Sequence, residues 1–242
     1  MKDFLQDVIS HTHAIGVLPI IKITSSESQT KIESISEDLS LIFDAVTNTP
    51  VPNLNGEYGL ANLNILDLHL KCPEYKKDAN ITFTTIIKDN VTIINGIHFE
   101  NSAGDYSNDY RFMSKEIVDL KIKTAGHNIS KWDITFEPIQ ANIQRFKYQA
   151  SAHTNETFFK FSTKDGNLMV NFGDQITHSG SFMFHQNVSG KLKNNISIPI
   201  TEFLSVLNLV GDKTIKIIDV GAVQVTVDSG LAVYNYTFPS HN

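Results

Sequence analysis

Ile139, Ile143, Phe146 and Ala150 recur at i, i+4, i+7 and i+11, the spacing of one face of an α-helix over 139–153. Gln140, Gln144, Lys147 and Ser151 repeat that spacing on a polar face, flanked by Arg145 and Tyr148. Three more helices are predicted. One spans 2–15, with Phe4, Leu5, Val8 and Ile15 on one side, and closes at Gly16. The next spans 60–71, carries Leu63, Leu66 and Leu70, and stops before Pro73. The last runs over 201–210, opened by Ile198-Pro199-Ile200 and closed by Gly211.

Period-two and β-branched runs predict strands between the helices. These are 17–24 (with Pro19 at an edge or bulge), 30–36, 41–46, 81–87, 91–98 and 110–113, then 157–162, 168–172, 175–185, 214–218, 223–227 and 231–238. A short lead-in at 134–138 precedes the third helix. Asp89-Asn90, Asp165-Gly166 and Asp228-Ser229-Gly230 supply hairpin turns. The stretches 50–56 and 101–108 are polar loops. Over 115–131 no period is sustained: Ile117, Val118, Leu120 and Ile122 alternate only partly with charges, which predicts an extended connector.

Helix, strand, turn, strand is the recurring order, met four times at low mutual identity. The expected class is α+β. Two similar domains, 1–114 and 134–242, are joined by a connector at 115–133, each with two helix-plus-antiparallel-sheet units. Helices should gather on one side of the sheets.

Composition narrows the function classes. Of 242 residues, 41% are hydrophobic and 19% charged, as in a soluble globular protein with ample core. Cys72 stands alone, so neither a disulfide framework nor a cysteine zinc site fits within one chain. No signal peptide or membrane-length apolar run is evident, which favours an intracellular setting away from membranes. Asn-x-Ser/Thr triplets at Asn80, Asn155 and Asn195 then read as chance. A formal net charge of -6 argues against a conventional nucleic-acid binder, yet the helix over 139–153 holds Arg145 and Lys147 and no acid.

Other candidates read plainly. His11 and His13 do not share a helix face, so no metal is expected. Lys115, Lys121 and Lys123 are interrupted by Glu116 and Asp119, and Trp132 reads as a packing anchor. No G-x-S-x-G, H-E-x-x-H, Walker or G-x-G-x-x-G pattern occurs, so neither enzymatic activity nor a cofactor is expected.

On its four-unit plan, on Leu54-Asn55-Gly56 before the second helix and on the closing hairpin over 225–234, the chain resembles the DNA polymerase sliding clamps of tailed bacteriophages. That resemblance implies a homotrimeric ring, with helices lining the hole and sheets outside. Such a ring is closed round duplex DNA by an ATP-driven clamp loader and tethers the DNA polymerase, in the cytoplasm of an infected bacterial host. Topological retention needs no high affinity for phosphates, and outer acid is screened over about 8 Å at physiological salt. The DNA-facing residues implied are Arg145, Lys147, Gln144, Gln140, Lys71 and Lys2. The fourth helix departs from a basic lining, with Glu202 and no Lys or Arg, and the first sets Asp3 and Asp7 against Lys2.

Clamps receive partner peptides beneath the interdomain connector, next to the C-terminal segment. The residues this implies are Ile117, Val118, Leu120 and Ile122 with Tyr236, Phe238 and Pro239. Pro239 so near the end suggests a surface tail, with Phe238 an exposed aromatic. The alternative is a β-rich phage structural protein of tail or baseplate; an enzyme with an unrecognised site is the third class.

Overall fold

A computed structural model describes residues 1–88, 90–122, 129, 131–174 and 178–241. The chain forms two compact units.

The first unit opens with α1 (Lys2–Thr12), extended by one 3-10 turn and ended by Gly16 in the left-handed region at φ 87. β1 (Ile20–Ser25) and β2 (Thr30–Ile35) follow, then β3 (Ile42–Thr47), whose residues are divided between the units, and β4 (Gly56–Ala61). β1 pairs antiparallel with both β2 and β4, so Ile23 faces Ile32 on one side and Tyr58 on the other. α2 (Leu63–Lys71) comes next, then an antiparallel sheet in the order β5 (Asn80–Lys88), β6 (Val91–Glu100), β7 (Ser107–Arg111). A register shift at Thr84/Thr85 breaks the β5–β6 ladder. The helices bury Leu5, Val8 and Ile9 and Leu63, Leu66 and Leu70, the apolar stripes of their sequences.

Two features of this unit differ from the sequence expectation. Leu60 and Ala61 end strand β4 rather than begin a helix; Asn62, left-handed at φ 53, separates the two elements. Gly56 and Gly59 contribute no side chain to an alternating pattern, which hid the strand. The segment expected to be extended holds a seven-residue helix, α3 (Lys115–Lys121). Its Val118 and Ile122, one turn apart, are buried with Ile20 against Ala61 and Met113. Residues 123–128 and 130 of the expected connector lie outside the described residues, as do Asp89 of the first hairpin turn and 175–177 of the expected strand over 175–185.

The second unit runs β8 (Ile134–Phe136), α4 (Gln140–Ala152), β9 (Phe158–Lys164), β10 (Asn167–Phe172), β11 (Gly180–His185), β12 (Ile196–Pro199), α5 (Ile200–Leu207), β13 (Asp212–Ile218), β14 (Ala222–Asp228) and β15 (Ala232–Pro239), whose first two residues belong to the first unit. Its sheets include β11-β10-β9-β12 and β8-β13-β14. Asp165 and Gly166 both take positive φ, 51 and 75, and form the tight turn their sequence predicts between β9 and β10. Ile198 and Pro199 close a short strand instead of opening the helix, which ends at Leu207.

A phenylalanine cluster fills this core. Phe146 of α4 meets Phe159 edge-on at 4.7 Å, and Phe203 of α5 lies 5.3 Å from Phe146 and 5.0 Å from Phe159. Asn142 is buried beside them, and its amide Nδ2 donates to the Phe184 carbonyl at 2.7 Å. That bond removes the cost of burying a carboxamide and fixes α4 on edge strand β11.

The observed element order is richer than helix, strand, turn, strand. Apart from α3, each α-helix is followed by three strands, and one further strand, β4, β8 or β12, immediately precedes α2, α4 and α5 respectively. Among the described residues no helix is long and apolar enough to cross a membrane.

Candidate functional site

α4 carries two exposed cations, Arg145 and Lys147, and no acid. Ile143, Phe146 and Ala150 are buried, while Gln140, Gln144, Arg145, Lys147, Tyr148 and Ser151 are exposed. Ile139, expected on the apolar face, occupies the N-cap and is 56% exposed. The Arg145 guanidinium donates to Asn142 Oδ1 at 3.3 Å, so the buried amide that anchors the helix also orients its arginine. Among the described residues neither Arg145 nor Lys147 has a carboxylate partner. Both side chains are exposed to an anion from solution.

Beside this face lies a shallow pocket of about 440 Å³, lined by Ala141, Gln144, Arg145, Tyr148, Gln149 and Phe182. Four of the DNA-facing candidates are thus exposed on α4: Gln140, Gln144 and Lys147 lie along one line of the helix, and Arg145 stands roughly 160° round from Lys147, at the other edge of the exposed arc. The other two belong to the first unit and are engaged there. Lys71 Nζ lies 2.6 Å from Asp67 Oδ2 one turn back, and Lys2 Nζ donates to the Tyr75 carbonyl at 2.6 Å. Among the described residues no group of three or more His, Cys, Asp or Glu side chains could hold a metal ion. His11 is buried against its own helix, with Nδ1 2.8 Å from the Asp7 carbonyl.

The expected partner residues separate into two sets. Ile117 and Leu120 are exposed on the outer side of α3, at 47% and 75%. Val118 and Ile122 point inward and are buried, so they are core. Tyr236 and Phe238 are core as well, at 0% exposure each. This corrects the reading of Phe238 as an exposed anchor. On β15, Ala232, Tyr234, Tyr236 and Phe238 alternate onto the buried face; Tyr236 packs 5.3 Å from Phe43, and Phe238 packs 5.8 Å from Phe203. Pro239 is the half-buried last residue of the strand, where its missing N–H interrupts no further ladder. The chain beyond it is also held: Ser240 N–H donates to the Gly221 carbonyl at 2.8 Å and His241 N–H to the Ser197 carbonyl at 3.0 Å.

A group of four charges escaped the sequence reading because it joins residues far apart in the chain. Lys22 Nζ lies 2.6 Å from Asp119 Oδ1 and 3.5 Å from Glu57 Oε2. Lys115 pairs with Glu57 and lies 3.0 Å from Asp119 Oδ2. The hydrogen bond from Lys115 holds Glu57 below the usual carboxylate range, and that from Lys22 does the same for Asp119. The network straps α3 to strands β1 and β4. The same unit carries an open groove of about 1010 Å³, whose lining includes Tyr58, Ile86, Val91, Ile93, Phe112 and Lys115. Ile87, at 77% exposure, neighbours it on β5.

No family model matches the chain, and no curated protein matches it. Among the solved structures that do match is one described as "C-terminal region of FEN-1 bound to A. fulgidus PCNA". It superposes with a TM-score of 0.67 at 10% sequence identity, over 100% of this chain and 96% of that chain. Identity that low speaks for the fold alone. The chain has a fold of the sliding-clamp type.

Proposed function

We propose that the protein is a sliding clamp of the bacteriophage kind: two similar domains per chain, three chains in a closed ring, and duplex DNA through the hole. It acts without catalysis, as a mobile tether for the replicative DNA polymerase in the host cytoplasm, and is placed on DNA by an ATP-driven loader. The observation that carries this reading is the likeness of fold to a PCNA structure along the whole chain.

Two further observations support it. In a chain of net charge -6, the exposed face of α4 offers Arg145 and Lys147 and no acid, so its lining does not repel a phosphate backbone. Strands β5, β7 and β11 end their sheets, and their open N–H and C=O groups suit pairing with a neighbouring copy. Closure into a ring satisfies such edges without leaving a growing end.

Retention on circular DNA tests this. After loading with ATP and the loader of its own replication system, the protein should stay on a nicked circle through a high-salt wash. It should leave once the circle is cut. Equal release from circular and linear DNA would show that binding is not topological.

A further inference from the structure

On an α-helix each residue turns by roughly 100°, which puts Tyr148 some 140–160° around α4 from the buried Ile143, Phe146 and Ala150. It stands at the wet pole of the helix, 77% exposed. A large ring so placed adds nothing to the core of its unit. Its surroundings have a definite chemistry. The pocket beside it joins a second aromatic, Phe182, two carboxamides, Gln144 and Gln149, and the Arg145 guanidinium, and no carboxylate. Phe182 is placed by the strand: it shares a face with the buried Phe184, 5.9 Å away, and reaches the rim where Phe184 lies under the helix.

We propose that this pocket binds one unpaired nucleotide of single-stranded DNA, Tyr148 stacking on the base and Arg145 taking its phosphate. The inference rests on the reading that α4 faces DNA. Charge selects a polyanion, because Arg145 and Lys147 are unopposed on this helix. Ring geometry selects a single strand. In a duplex the faces of the bases are covered by their neighbours, whereas an unpaired base offers a free face to an aromatic side chain. The Gln144 and Gln149 amides can donate to or accept from a base edge, which tolerates any sequence. A volume of about 440 Å³ lies within the range of small-ligand sites, ~300–1,000 Å³. On a clamp such a site engages single-stranded template next to a primer end.

The test is fluorescence anisotropy with labelled oligo-dT and a labelled duplex of the same length, at one salt concentration. Wild-type protein should bind oligo-dT more tightly than duplex. Tyr148→Ala should weaken oligo-dT binding about tenfold with little change for duplex, and Tyr148→Phe should restore it. Oligo-dT carrying 5-iodouracil should crosslink to Tyr148 on irradiation. Wild-type binding of oligo-dT by Tyr148→Ala, or a crosslink elsewhere, overturns the proposal. A fall in assembled mass for Tyr148→Ala, read by sedimentation, also overturns it, since the pocket is then a contact between copies. Loss of topological retention on circles with Tyr148-dependent oligo-dT binding intact overturns the clamp reading instead.

Discussion

Val118 of α3 rests directly on the backbone of Gly59 in β4: a Cβ built on Gly59 lies 1.9 Å from Val118 Cγ2. No side chain fits at that position while the helix is docked. Gly59→Ala should therefore destabilise the first unit by about 1–3 kcal/mol through overpacking and raise hydrogen exchange at α3 amides. Adding Val118→Ala opens the space again, so the double variant should recover α3 protection relative to Gly59→Ala alone. Additive losses in the double variant would contradict the contact.

The strap of Lys22, Glu57, Lys115 and Asp119 makes α3 docking depend on pH at both extremes. Glu57 and Asp119 have lowered folded values, so their contribution is complete above their ordinary values of 4.5 and 3.8 and is lost as pH falls through the lower folded ones. Lys22 and Lys115 are raised above 10.5, so theirs is complete below that pH and is lost as pH rises through the folded values. Exchange protection of residues 115–122 should be flat near neutrality and fall at either end. Salt should reduce it modestly, because Lys115 and Asp119 face solvent while Lys22 is largely covered. Protection insensitive to both pH and salt would contradict the strap.

Phe238, fully buried at 5.8 Å from Phe203, belongs to the core of the second unit. Phe238→Ala should cost about 3–5 kcal/mol in denaturant unfolding. Ending the chain after Thr237 should be worse, since it also removes the bonds made by Ser240 and His241. A truncated protein with unchanged stability would contradict the burial.

Arg145→Glu with Lys147→Glu reverses the unopposed charge of α4 at exposed positions, so the melting temperature should stay within the error of measurement. Processive synthesis in a primed-circle assay should drop, and the salt dependence of duplex binding should flatten. Full processivity in the double variant would remove α4 from the DNA-facing surface.

The helices were legible where apolar residues kept a 3.6 period for at least two turns, as in α4 with Ile143, Phe146 and Ala150. α3 was not, because seven residues give it one inward turn, Val118 to Ile122, while Ile117 and Leu120 face water and blur the stripe. β4 was hidden by Gly56 and Gly59, the second of which is a glycine for the sake of Val118, a partner far away in sequence. Pro239 misled in the other direction: its strand simply ends there, so the aromatics before it stay inside. On the site, the cationic face of α4 was legible as a local charge pattern. The four-charge strap and the pocket rim at Phe182 were not, since each needs two elements brought together by the fold.

Imaging single particles of the purified protein at micromolar concentration tests the central claim most directly. A closed three-fold ring with a central hole wide enough for duplex DNA is the predicted result. A field of isolated monomers, or of open-ended filaments such as a tail protein would build, would contradict it.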